Sequence, residues 1–133
     1  MGAWGVGAFD NDTALDWLDT LERLGAEAML VAFQTIAEEG ERIEVEQARI
    51  AIAAAEAVAA SRGRPAPDLP GELAEWVRAR GGDVDAALAA QAVDAVTRIR
   101  EASDLRDLWG EDDSGAEWET TIAELLDRLR TAG

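Results

Sequence analysis

The chain contains no cysteine, no histidine and no lysine, and these absences exclude several kinds of chemistry. Disulfide bonds cannot form without cysteine. Nucleophilic triads that depend on histidine or cysteine are excluded, and so is a serine–lysine pair. A metal ion would need oxygen ligands alone, which restricts the candidates to ions such as magnesium, calcium or manganese. We predict that the protein holds no resident cofactor or metal.

Positive charge is also scarce. The twelve basic residues are all arginines, and 28 acids give the chain a net charge of −16. Nucleic acids are bound by cationic side chains that displace counterions from the phosphates, so a nucleic-acid ligand is not expected. A basic protein is the expected partner, because opposite charges attract two molecules toward each other before they touch.

Long apolar runs are missing as well. A transmembrane helix needs about 18 or more consecutive apolar residues, and the sequence has no such run. The apolar N-terminal stretch ends at Asp10 and lacks the positively charged start of an export signal. We therefore expect a soluble, cytoplasmic protein with no membrane partner. Its 133 residues fit one domain spanning residues 1–133.

The sequence is rich in helical periodicity, and a glycine follows each periodic segment, as at helix ends. Asp12 and Asp83 are candidate N-cap residues. A helix that begins after Asp83 either continues to Trp109 or restarts at Ser103, and the unbroken apolar spacing slightly favours continuation with a kink. The other predicted helices span residues 12–24, 26–39, 42–61, 70–80 and 115–131.

The segment Ala48–Ala60 consists almost entirely of alanine, isoleucine and valine. A helix that is apolar on nearly every side is normally surrounded by other helices. The sequence thus predicts an all-α, single-domain bundle of five to six helices around this alanine-rich helix, preceded by a glycine-rich N-terminal loop.

Candidate binding residues lie at the N-terminus and near residue 106. The N-terminal loop carries two aromatic rings that are expected to pack against the bundle, with Trp4 partly exposed to a partner. If the fifth helix continues, Arg106 falls within its apolar stripe and needs a carboxylate or an aromatic face, or else binds an anion. The full set is Trp4, Phe9, Asp10, Asn11, Asp12, Asp16, Arg106 and Trp109.

Two acidic clusters have a structural interpretation and a functional one. Asp10–Asp16 fits N-capping and a favourable interaction with the helix dipole. It does not fit a calcium loop, since Leu15 and Leu21 occupy the positions that need glycine and an acid. The cluster from Glu111 to Glu117 fits a solvated loop. A divalent-cation site at either cluster is the functional alternative.

Several motifs resemble those of the bacterial family catalogued as domain of unknown function 4259. They are Met1–Gly5 continuing through Phe9–Asp12, the alanine-rich helix around Ala53–Glu56, and Ser103–Trp109, followed by Trp118. In the third motif the family pattern has glutamate where this chain has Asp104 and Asp107. The resemblance covers nearly the whole chain and implies a small bacterial protein to which no reaction is assigned.

Two hypotheses of function follow. The first is a non-enzymatic protein-binding module, including an immunity- or inhibitor-like role, because inhibitors of toxic nucleases are often small and acidic. The alternative is a divalent-cation-dependent enzyme or sensor that uses the N-terminal acids. The first is preferred, since the residue types of most hydrolytic sites are absent. The oligomeric state is left open by the sequence.

Overall fold

The computed structural model describes residues 7–38, 43–110 and 115–131. Within these ranges the regular secondary structure is all helical. It consists of seven α-helices, where five to six helices were expected, and one 3-10 turn, Gly81–Asp83. None of these helices is long and apolar enough to cross a lipid bilayer. The α-helices are α1 Asp12–Leu24, α2 Ala26–Glu38, α3 Val45–Ser61, α4 Gly71–Arg80, α5 Ala86–Ala102, α6 Asp104–Gly110 and α7 Gly115–Thr131.

Helix α3 is the centre of the bundle, as the sequence predicted. Within the described residues it packs against all six other α-helices. Every residue from Ala51 to Ala60 is buried. Alanine side chains let the surrounding helices approach closely, and the larger core side chains come from those helices. The buried apolar residues of all the helices form one continuous cluster.

Two helices begin at caps other than those expected. Asn11, not Asp12, caps α1: its backbone is extended (φ −157°, ψ 154°), and its Oδ1 accepts a backbone hydrogen bond at 2.8 Å. Asp85, not Asp83, caps α5 in the same way at 2.9 Å. A capping residue must stand outside the helix, whereas Asp12 is already helical and Asp83 lies in the 3-10 turn.

Gly25 separates α1 from α2 and requires the absence of a side chain. Its φ is +65°, and its N–H donates to the carbonyl of Leu21 at 2.7 Å. A Cβ atom there would lie 2.7 Å from a guanidinium nitrogen of Arg80. Gly63, after α3, also has positive φ, but Gly81 is right-handed (φ −57°) and simply opens the 3-10 turn. Not every helix-ending glycine is therefore left-handed here.

The prediction that the fifth helix continues to Trp109 is wrong, because the helix ends before Ser103 and a new helix starts after it. This buried residue is extended (φ −127°, ψ 156°). Its hydroxyl donates to the carbonyl of Ile99 at 2.7 Å and accepts from the N–H of Arg106 at 3.0 Å. The N–H of the next residue, Asp104, donates to the carbonyl of Ile43 at 2.8 Å. Ser103 thus ends α5, caps α6 and holds both against a distant part of the chain.

Replacing Ser103 by alanine is expected to lower the free energy of unfolding by about 1–2 kcal/mol, because a buried cap with two hydrogen bonds is lost. Urea denaturation followed by circular dichroism measures the change. The matched control is Thr120→Ala, because this exposed hydroxyl bonds only within its own helix. Equal effects of the two substitutions would contradict the capping role.

Candidate functional site

The N-terminal turn, residues 7–11, is held by its own hydrogen bonds. The carboxylate of Asp10 accepts from the N–H of Gly7 at 3.1 Å, and the Asp10 N–H donates to the Gly7 carbonyl at 3.1 Å. The amide nitrogen of Asn11 donates to the Ala8 carbonyl at 3.4 Å while its oxygen caps α1. The turn therefore presents Phe9 and Asp10 in fixed positions beside the bundle.

Four of the candidate binding residues meet around this turn. Phe9 and Asp10 line an open cleft of about 460 Å³, which we call the N-terminal cleft. Asn11 and Trp109 line a much smaller cavity of about 20 Å³, which we call the Arg49 cavity. The two spaces adjoin, because their walls share Gly7, Ala8, Glu56 and Thr121.

The other candidates lie apart from this region. Asp12 and Asp16 are exposed on α1. Arg106 is also exposed, with its guanidinium 3.9 Å from the carboxylate of Asp107, so its expected place in an apolar stripe is wrong. The break at Ser103 turns α6 so that Leu105 is buried instead. Trp4 lies outside the described residues.

The described part of the chain contains no group of three or more acidic side chains close enough together to hold a metal ion. Asp10 uses its carboxylate within its own turn, and Asp12 and Asp16 project into solvent. Residues 111–114 of the second acidic cluster lie outside the described ranges. No observation on the described acids therefore favours the divalent-cation hypothesis.

Two charged residues buried on α3 were missed by the sequence analysis. Glu56 is 3% exposed, and its two carboxylate oxygens accept from Nη1 and Nη2 of Arg128 on α7 at 2.9 and 3.0 Å. Arg128 also donates to the carbonyl of Arg64 at 3.2 Å. The hydrogen bonds to Glu56 raise the pKa of Arg128 above its ordinary value, despite its partial burial. Charge is therefore balanced at this position of the core.

Arg49 is the second buried charge, and unlike Glu56 it lacks an ion-pair partner among the described residues. Arg49 is 8% exposed, and its Nη2 atom is buried without a hydrogen-bond partner in the same ranges. Burial lowers the pKa of Arg49 below its ordinary value. Arginine nevertheless stays protonated at physiological pH, so a cation remains beside the cavity. The sequence signal that could have identified Arg49 and Glu56 is that each is flanked mostly by apolar residues in the helix predicted to be central.

A separate apolar groove lies between α1, α2 and α3 and has a volume of about 240 Å³. We call it the α1–α2–α3 groove. Its rim exposes two large apolar side chains, Leu24 at 46% and Val31 at 50%. Trp17, Ala28 and Ile50 contribute further apolar wall. None of the residues that line the groove is among the candidate residues named from the sequence.

Acidic side chains predominate on α1 and α2, the two helices that form most of the α1–α2–α3 groove. Residues 12–38 carry six acids and one arginine, a net charge of −5, and all seven are exposed. Asp16 lies one helical turn before Thr20, and Glu27 lies one turn before Val31. Residues three or four apart are neighbours on a helix surface, so Asp16 and Glu27 lie beside lining residues, and by the same rule Arg23 lies beside Thr20. The groove is therefore an apolar strip on two helices whose exposed charges are predominantly negative.

A comparison with known protein families identifies the family of this chain. The model of one protein family, described as a domain of unknown function (DUF4259), matches residues 2–121. The chain belongs to the DUF4259 family. No curated protein and no solved structure shows a significant match. For this DUF4259 protein, the family gives no reaction or partner, so function must be argued from the geometry.

In this DUF4259 chain, Glu56→Leu is expected to lower the free energy of unfolding by about 3–5 kcal/mol, because Arg128 keeps its charge in the interior without a counter-ion. Adding Arg128→Leu should recover most of the loss, since two apolar residues replace a buried pair at little cost. Urea denaturation of the single and double variants tests this coupling.

The control for this cycle is the exposed pair between Arg100 and Glu119, whose side chains are each about two-fifths accessible. Glu119→Leu should change the free energy of unfolding by less than about 1 kcal/mol, because water screens the pair. The expected coupling would be contradicted if the double variant at Glu56 and Arg128 lost as much free energy of unfolding as the two single variants lose together.

Proposed function

We propose that this DUF4259 protein is a cytoplasmic, non-enzymatic protein-binding module that receives a basic amphipathic segment of another protein in the α1–α2–α3 groove. The observation that carries the proposal is an apolar groove on α1 and α2, two helices whose exposed charges are predominantly acidic. Apolar side chains of the partner segment occupy the groove, and its lysines or arginines lie against the carboxylates. This arrangement is the common helix-in-groove mode of recognition with a charge requirement added.

The half-exposed side chains at the rim provide affinity. Burying a large aliphatic side chain completely is worth about 1.5–3 kcal/mol, so covering the remaining surface of Leu24 and Val31 contributes roughly 1 kcal/mol each. The other apolar walls of the groove add to this. Exposed apolar surface bordered by polar residues is characteristic of interaction sites on soluble proteins.

The acids around the groove select the partner. The six acidic side chains of residues 12–38 are all exposed, so they act on an approaching molecule before contact. A positively charged segment is attracted, while an acidic one is repelled. A second copy of this chain carries the same net charge of −16, and the repulsion between the two copies disfavours a symmetric dimer through the groove.

A designed peptide pair tests the proposal directly. One peptide is an amphipathic helix with leucines on one face and arginines beside them, and the other has glutamates in place of the arginines. We expect the first to bind and the second not to bind, as measured by fluorescence anisotropy. The affinity should fall as salt is raised, because the charges at the border are exposed.

Val31→Asp and Leu24→Asp should each weaken binding of the basic peptide by about tenfold or more, equivalent to roughly 1.4 kcal/mol. Both substitutions add negative charge, so a loss cannot arise from weaker general attraction. Leu15→Asp is the matched control, because Leu15 is an exposed leucine of α1 that does not line the groove. Circular dichroism checks that each variant folds.

Two results would overturn this function. One is binding of the basic peptide that is the same in wild type and in Val31→Asp. The other is a dimer, seen in sedimentation at rising protein concentration, that Val31→Asp abolishes, because the groove would then serve a second copy of the chain.

A further inference from the structure

We propose that the Arg49 cavity and the N-terminal cleft form one binding site for a small amino carboxylate. The ligand's carboxylate pairs with the guanidinium of Arg49, and its ammonium group lies among the acids of the cleft. This site is independent of the proposed protein-binding function, since it shares no lining residue with the α1–α2–α3 groove.

The buried guanidinium of Arg49 is the group that binds the carboxylate of the ligand. Arg49 is more than nine-tenths buried, and its Nη2 has no partner among the described residues. An isolated buried charge is costly unless an opposite charge and hydrogen bonds accompany it. The planar guanidinium fork matches a carboxylate, which accepts two parallel hydrogen bonds from it. Trp109 and Trp118 form apolar walls of the cavity, which strengthens such a pair.

The carboxylate of Glu56 does not fill this role. It lines the same cavity, but both of its oxygens accept hydrogen bonds from Arg128. Those two charges neutralise each other. Arg49, two helical turns away on the same helix, therefore keeps a positive charge that no side chain of the described ranges compensates.

The sizes of the two spaces fit a ligand with a small head and a longer body. A cavity needs roughly 10–15 Å³ to admit one water molecule, so about 20 Å³ at Arg49 takes a group of only a few atoms. The adjoining cleft, at about 460 Å³, has room for the remainder of a small molecule. The two spaces are adjacent, because residues that include Gly7 and Thr121 line both of them.

The acids of the cleft specify the other end of the ligand. Asp10, Asp68 and Glu124 line it, and the latter two also act electrostatically on Arg128. They are too dispersed to form a metal-binding group within the described residues. A simple anion is repelled on its way to Arg49, whereas a molecule with an ammonium group at its far end meets favourable charges at both ends.

Two nearly isosteric probes test the proposal: 4-aminobutanoate, and pentanoate, in which a methyl group replaces the ammonium. Calorimetry and tryptophan fluorescence should show saturable binding of 4-aminobutanoate and at least about threefold weaker binding of pentanoate, as expected for partly exposed charge contacts. Ionic strength is held constant, so that general screening does not differ between the titrations.

Three variants locate the two ends of the ligand. Arg49→Met should weaken both probes by at least about tenfold, because the charge-assisted hydrogen bonds are lost. Glu124→Gln should reduce the preference for 4-aminobutanoate over pentanoate, because it removes a charge that attracts the ammonium group of the first and repels the carboxylate of both. Arg78→Met is the control for loss of an arginine, because Arg78 is exposed on α4 and lines neither space.

Urea denaturation distinguishes loss of the site from loss of the fold. Arg49→Met should not lower the free energy of unfolding in ligand-free buffer, since it removes an uncompensated buried charge. Absence of saturable binding by either probe, as expected if water alone fills the cavity, would overturn the proposal. Equal affinities of the two probes, or undiminished binding in Arg49→Met, would overturn it as well.

Discussion

The enclosure of α3 by six other helices is the constraint on which the rest of the structure depends. A helix with neighbours on all sides has almost no surface on which to place polar groups, and its side chains must be small for the neighbours to fit. Alanine meets both demands at most positions from 51 to 60, where Ile52, Glu56 and Val58 are the other residues. A charge on the enclosed part of this helix, unlike the exposed Glu46 in its first turn, is taken out of water and must find its counter-charge in the interior or from a ligand.

The two buried charges on α3, Arg49 and Glu56, meet this demand in opposite ways. Glu56 receives two hydrogen bonds from Arg128, and this pair also ties α7 to the centre of the bundle. Arg49 receives no such partner within the described residues, although it is nearly as buried. An apolar side chain of similar length would suit stability better at this position. The positive charge of Arg49 is therefore explained by an external anion more simply than by packing.

The sequence predicts the features of the fold that depend on local periodicity, and it fails where distant residues decide. The limits of α1 and the burial of α3 follow from the spacing of apolar side chains. The break at Ser103 does not, because apolar residues recur on both sides of it. It is stabilised by a hydrogen bond to Ile43, sixty residues earlier in the chain.

The site is less predictable than the fold for a related reason. Phe9, Asp10 and Asn11 were identified from the N-terminal motif and Trp109 from the segment Ser103–Trp109, and the structure brings them to two adjoining spaces. Arg49 looks like one of several balanced charges in the sequence, and Leu24 and Val31 look like ordinary core residues. Their importance comes from what does or does not pack against them.

The two proposed sites also differ in how their binding depends on salt. A basic partner is attracted by the whole net charge of −16, and salt screens this attraction beyond about 8 Å at physiological ionic strength. A zwitterion has no net charge, so its binding depends on short contacts at its two ends and responds much less to salt.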